Sequence, residues 1–198
     1  ADGPNQRGNQ GQDDNDSDLT VDFGFRAAMS IGNRVWRDNG ANGAATVPTQ
    51  RLDGIQNGTE PGIEDVVVEL YPDNGNGTFA VGEETLVGTT DTDAEGYYLF
   101  DGLPPGNYFV FIPAAEFGAA EPLFGLNNSP GNIADTGPDA NLDQRDMGVD
   151  TPDLPTNGLV SPLVTLDADV NGNPSGAETT ADTDTSTDSA TFGPNGRG

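Results

Sequence analysis

Apolar and polar residues alternate along several short stretches of this chain, and clusters of Gly, Asn, Asp and Pro separate those stretches. Leu19, Val21, Phe23 and Phe25 alternate with Thr20, Asp22 and Gly24. A period of two, rich in branched and aromatic residues, is the signature of a half-buried strand. The same criterion predicts strands over residues 30–36, 66–71, 85–90, 97–100 and 107–112, a short one near 147–149, and a firmer one at 159–166. Residues 38–60 read as a long loop of Asn, Gly and Asp, and residues 114–145 as irregular. Turn clusters fall at 73–77, 93–96 and 102–106, the last with proline presetting φ. No stretch carries a helical period over ten residues. The pattern is all-β, with the strand and turn spacing of an antiparallel sandwich carrying long acidic loops.

Three regions follow. Residues 1–29 form an N-terminal extended arm of Gly, Asn, Gln and Asp that carries the isolated strand at 19–25. Residues 30–166 form the sandwich, and residues 167–198 an acidic extension rich in Thr, Asp and Gly.

Composition narrows the function. Only 33% of the residues are hydrophobic, with 28 Gly and 15 Pro among 198, so part of the length is buried while loops and arms take the rest. The 33 acidic and 7 basic residues leave a formal charge of −26. Such a field repels nucleic acid and anionic lipid, and strains a compact state unless cations neutralise it. Cys and His are absent, which removes disulfides and the usual zinc and copper ligands. All seven basic residues are Arg, so there is no Lys. No run approaches the roughly twenty apolar residues of a membrane span. No signal peptide is visible either, so a secreted chain would have lost it ahead of Ala1 or carries it outside this segment.

The acids are spaced as calcium ligands are spaced. Calcium takes about six to eight oxygens from carboxylates, amides and carbonyls on a Gly-bent loop. Asp53, Ile55, Asn57 and Glu60 stand at the offsets of positions 5, 7, 9 and 12 of a loop of the EF-hand kind, Ile55 through its carbonyl and Glu60 as a bidentate carboxylate. A second, weaker set is Asp73, Asn74 and Asn76 with Glu83 or Glu84, and Asp91 and Asp93 on an adjoining segment could share its ion. A third is Asp135, Asp139, Asn141, Asp143 and Asp146. For each set the competing reading is a solvated polar loop that binds nothing.

Four motifs in order carry a family resemblance: Ser30-Ile-Gly-Asn-Arg-Val-Trp36, Asp53-Gly-Ile-Gln-Asn-Gly-Thr-Glu-Pro-Gly62, Thr92-Asp-Ala-Glu-Gly-Tyr-Tyr-Leu-Phe100 and Gly102-Leu-Pro-Pro-Gly-Asn-Tyr108. From Ser30 to Leu166 the chain resembles the B-type repeat domain of bacterial serine-aspartate-repeat surface proteins, within the collagen-adhesin B, prealbumin-like group. The resemblance implies an Ig-like or prealbumin-like sandwich of about seven strands. It also implies tandem arrays, stiffening by calcium, an extracellular or cell-surface location, and no catalytic residues. The family's first calcium ligand is the Asp two residues after the Trp, here Asp38, with Asn39 or Asn42 supplying another oxygen. An insertion, residues 44–52, departs from the family pattern between Asp38 and Asp53. A looped-out insertion would leave the site intact. Relatives that cross-link through a Lys–Asn isopeptide bond, and sortase pilins, need lysine; this chain has none. Leu154-Pro-Thr-Asn-Gly158 departs from a wall-sorting motif and is internal, so it reads as a loop.

Leu19–Phe25 looks like the closing strand of such a repeat, yet it precedes the first one, and nothing after Leu166 repeats its pattern. Four buried apolar side chains would contribute roughly 6–12 kcal/mol before entropy. The link over residues 26–29 reaches only about 14 Å. Strands 19–25 and 30–36 would then have to be neighbours or belong to different sandwiches, which argues against folding back onto its own body as a circular permutant would. The expectation is therefore strand exchange between copies of this chain through Leu19, Val21, Phe23 and Phe25, giving a head-to-tail fibre or tandem array. The alternative is a stalk or ligand-binding repeat of a large bacterial adhesin. Nothing in the chain points to an enzyme. Trp36, Tyr97, Tyr98 and Tyr108, which could form a carbohydrate platform, read instead as core or groove-lining residues.

Overall fold

The computed structural model describes residues 29–42, 45–56, 59–129, 146, 148–149, 152–168 and 174–175. The proposed exchange strand at 19–25, Asn57, and Asp135, Asp139, Asn141 and Asp143 lie outside them.

The chain is all-β. Its strands are β1 (Met29–Arg34), β2 (Ala41–Asn42), β3 (Ala45–Thr46), β4 (Val67–Pro72), β5 (Gly88–Asp91), β6 (Tyr97–Leu103), β7 (Gly106–Ile112), β8 (Leu159–Val160), β9 (Val164–Ala168) and β10 (Pro174–Ser175). A six-stranded antiparallel sheet runs β10-β9-β7-β4-β5, with β8 also on β7. Facing it is the antiparallel pair β1-β6, and β2-β3 is a separate short hairpin. β5 and β6 belong to different sheets, so the turn between them carries the chain across the sandwich.

Alternation fixes the core. In β4, Val68 and Leu70 are fully buried while Val67, Glu69 and Tyr71 between them are only part-buried. They meet Tyr108 and Val110 of β7 and, from the facing pair, Ile31 and Phe100. Phe117, Leu123 and Leu154 extend this cluster from outside the sheets. Tyr108 is 4% exposed and its hydroxyl donates to the Pro104 carbonyl, so it is a core residue and not a platform. A second aromatic group, Tyr71, Phe79, Phe109 and Phe111, has ring centroids 4.9–6.3 Å apart. It fastens the loop after β4 to the sheet.

The structure differs from the sequence-based expectation at several places. The fifth strand is Gly88–Asp91, since residues 85–87 lie outside it and Leu86 and Val87 are exposed. The single strand expected at 159–166 is two, because Ser161 and Pro162 interrupt it. Ser161 bonds Val110 twice, through its N–H (2.9 Å) and its Oγ (3.0 Å), and Pro162 has no N–H for the ladder. Among the described residues near 147–149 there is no strand, although the Val149 N–H donates to the Val160 carbonyl. Leu154–Asn157 is one helical turn and not a loop, started by Pro at its first turn and ended by Gly158. Finally, Pro174–Ser175 returns to pair with Asp167–Ala168, so the ordered body runs past Leu166.

Leu70 is 1% exposed and touches both layers of the core. Leu70→Ala is expected to lower unfolding stability by about 2–5 kcal/mol, read from the urea midpoint at unchanged slope.

Candidate functional site

The first candidate site is built where three backbone segments meet. Val35 N–H donates to the Gly96 carbonyl and Arg37 N–H to the Pro61 carbonyl, each at 2.8 Å, and Ile63 N–H donates to the Val35 carbonyl at 2.9 Å. Trp36 and Gly62 form an antiparallel bridge. Such close approach requires glycine: a Cβ on Gly62 would overlap the Glu95 carbonyl, and Gly96, at φ +88°, sits against Val35 and Gly62. With Trp36 opposite Gly62, the antiparallel register sets Asp38 opposite Glu60.

Glu60 is 2% exposed, and its Oε1 accepts the Gly40 N–H at 2.5 Å. Asp38 accepts two backbone donors, Leu52 N–H on Oδ1 (2.5 Å) and Gly54 N–H on Oδ2 (2.9 Å). Asp53, between those two donors, accepts the Ile55 N–H in its own turn (3.0 Å). The Asp38 carboxylate thus gathers the Asp53 loop, and the Glu60 carboxylate gathers the segment that follows Asp38. Leu52, a non-glycine residue at φ +54°, is held in the left-handed region at the Asp38 bond.

The insertion does not loop out. Its residues form β3 and the 3₁₀ turn Pro48–Gln50, and Val47 N–H donates to the Gly40 carbonyl at 2.7 Å. It ends at the Leu52 N–H that Asp38 receives. Asp38 is therefore the residue around which the insertion folds. The long loop expected at 38–60 is a hairpin, a 3₁₀ turn and two carboxylate anchors. Asn42 lies in β2, and Asn39 accepts the Ala41 N–H in a turn (2.9 Å).

Asp146, from the third set, joins the same frame. Its N–H donates to the Gly54 carbonyl at 2.8 Å, its Oδ1 accepts the Gly148 N–H at 2.9 Å, and it is 8% exposed. Sequence reasoning had no signal for this pairing, because nothing in the local pattern ties residue 146 to residue 54.

The second set is divided by the structure. Asp73 Oδ1 accepts the Gly77 N–H, Asn74 Oδ1 the Asn76 N–H, and Asn76 Oδ1 both donors of Thr78. Glu84, 8% exposed, takes Asn74 Nδ2 on one oxygen and the Ala80 N–H on the other, closing the loop on itself. Glu83 is exposed. Asp91 pairs with Val67 at the far end of β4, about 20 Å of strand from Asp73 at the usual rise per residue. Asp93 accepts the Glu95 and Tyr97 N–H groups of its own turn. Asp91 and Asp93 therefore belong to no site with Asp73.

The donors around Asp38 are all oxygens, namely carboxylates of Asp38, Asp53, Glu60 and Asp146 with neighbouring carbonyls. That is the chemistry of a hard cation such as calcium. Each carboxylate oxygen that already takes an N–H keeps a second lone pair. Among the described residues no three acidic side chains yet converge on one point close enough to hold an ion. Ion binding would have to draw Asp38, Asp53 and Glu60 inward from their present bonds.

The family model described as SdrD B-like domain matches residues 29–151. The chain is similar to Colossin-B of Dictyostelium discoideum, 37% identical over 92 residues, 46% of this chain and 2% of that protein. It is similar to a Fibrinogen-binding protein of Staphylococcus epidermidis, 39% identical over 102 residues, 50% of this chain and 7% of that protein. It is also 37% identical to a Bone sialoprotein-binding protein of Staphylococcus aureus over 95 residues, 47% of this chain and 7% of that protein. The chain thus spans under a tenth of the length of these relatives.

Glu60→Ala removes the acceptor for a buried N–H. It is expected to lower stability by about 1–3 kcal/mol without any added ion, measured by denaturant unfolding in the presence of a chelator.

Proposed function

The chain belongs to the SdrD B-like domain family, and on that footing we propose that it is a non-enzymatic, calcium-stabilised structural unit of an extracellular, surface-borne protein that joins its neighbours head to tail by strand exchange. The observation that carries this reading is the unequal sandwich. A two-stranded sheet faces a six-stranded one, and among the described residues β1 pairs with β6 alone. Met29 and Ile31 of β1, at 7% and 9% exposed, sit at the core boundary beside that unpaired edge. An open edge with apolar residues behind it invites a further strand. Residues 19–25 have the alternation such a strand needs.

Calcium is the cofactor this reading assigns, with Asp38, Asp53 and Glu60 as its carboxylates, Ile55 as a carbonyl donor, and Asp146 beside them. When bound it would neutralise part of the −26 charge and fix the 38–60 segment to the loop before residue 149. The protein's own residues already supply the frame: Asp38 and Glu60 organise the loop through backbone N–H groups.

A second reading, a stalk or ligand-binding repeat of a large adhesin, is favoured by the relatives. They are far longer than this chain, and two are named for binding fibrinogen and bone sialoprotein. The two readings part on what residues 19–25 do.

Calcium at about 10 mM against a dissociation constant near 10⁻⁴ M is expected to add about 2.7 kcal/mol per site. A melting temperature indifferent to chelation would sink the calcium assignment. Light scattering of the intact chain is expected to give polymers in calcium, and Phe23→Asp a monomer of unchanged fold. Monomers of the unaltered chain with and without calcium would favour the stalk.

A further inference from the structure

Glu116 is a buried acid that neither the fold's calcium loop nor its strand edge uses. It lies in the 3₁₀ turn Ala114–Phe117, directly after β7, and is 5% exposed. Its position has a specific cause. β7 pairs with β4 as far as Phe111 opposite Glu69, and continued pairing would bring residue 113 opposite Val67. Residue 113 is proline, and its carbonyl instead receives the Glu116 N–H of the turn. The Val67 N–H is thereby left without a strand partner, and the Glu116 carboxylate lies beside it. Its Oε2 is buried with no hydrogen-bond partner.

The groups facing this carboxylate are acids. Glu121 follows on its own segment, Asp91 faces it from β5, and Glu69 from β4, where Glu69 Oε2 already accepts the Tyr71 hydroxyl at 2.7 Å. The helical turn packed against it, Leu154–Asn157, has no ionisable side chain, and Asp153 ahead of it adds another acid. Burial pushes the Glu116 carboxyl above the usual glutamate range, the Val67 N–H beside it opposes this, and Glu121, Asp91 and Glu69 push further upward.

We propose that Glu116 is an acid-strengthened clasp: a proton taken up on its orphaned Oε2 secures the 113–126 segment, with the core residues Phe117 and Leu123, against the start of β4. Protonation removes a buried, uncompensated charge at the orphaned Oε2. Because the folded-state value lies above the unfolded one, this contribution is complete below the unfolded glutamate value. It is lost as pH rises through the folded value. Mild acid therefore tightens this end of β4, and alkaline conditions loosen it.

The test compares the melting temperature of the full chain with that of Glu116→Gln across pH, in chelator so that no ion interferes. The glutamine keeps the shape and supplies no charge. At about pH 8 the variant is expected to melt about 2–4 °C above the unaltered chain, with the difference vanishing only below about pH 4, under the unfolded glutamate value. A difference that is the same at both values overturns the proposal, since a purely structural role would not titrate. Should the variant fold poorly, the carboxyl-carbon resonance of Glu116 in the unaltered chain decides. A midpoint above those of the exposed glutamates, lowered by Glu121→Gln, supports the clasp, and a midpoint at or below them overturns it.

Discussion

The close passage of three backbones at residues 35–37, 61–63 and 95–96 governs the rest of this structure. Gly62 and Gly96 admit it, since a methyl group at either would overlap main-chain atoms of its neighbours. The passage ties the end of β1 to the turn that carries the chain from β5 to β6, and so joins the two layers. It also sets the register by which Asp38 faces Glu60. The candidate ion site is thus a by-product of how the sandwich is stitched at this corner. Its acids stand on main chain that the fold itself holds in place.

A chain with 33 acids and 7 bases must do something with its carboxylates. Here many of the described ones accept backbone N–H groups and thereby define loops: Asp38, Asp53, Asp73, Asp93, Glu60 and Glu84 each do so. A hydrogen bond to an ionised acceptor is stronger than a neutral one, and it needs no cation. This explains how long Gly- and Asn-rich loops hold a defined course without a helix or disulfide. It does not relieve the repulsion among the acids. That repulsion is what a divalent ion at Asp38, Asp53 and Glu60, or a proton at Glu116, would relieve locally.

The strands around the core were legible because a buried face imposes a period of two, as in Val66–Leu70, or because both faces are buried in a continuous apolar run, as in Tyr108–Phe111. The family motifs reached further, since the Gly residues in them mark close backbone contacts that no periodicity encodes. What escaped was non-local. The insertion reads as loop because its hairpin is two residues a side and its anchor, the Asp38 carboxylate, stands 14 residues before Leu52. Asp146 was legible as an acid in an acidic loop, but its place beside Gly54 rests on a single backbone bond across the sandwich. The split of 159–166 was written in Ser161-Pro162, two residues whose ladder consequences an apolar count ignores.

Glu60 and Glu116 show why burial alone does not assign a role. Both are nearly fully enclosed, and Glu60 accepts the Gly40 N–H while Glu116 Oε2 has no hydrogen-bond partner. Glu60 does so in a frame that also holds Asp38, Asp53 and Asp146, where a cation would find several oxygens at once. Glu116 follows a strand that proline ends, and the acids near it come from separate elements. Relief of the first environment by a metal would require donors to converge that, among the described residues, do not yet do so. Relief of the second requires only a proton on a single orphaned oxygen.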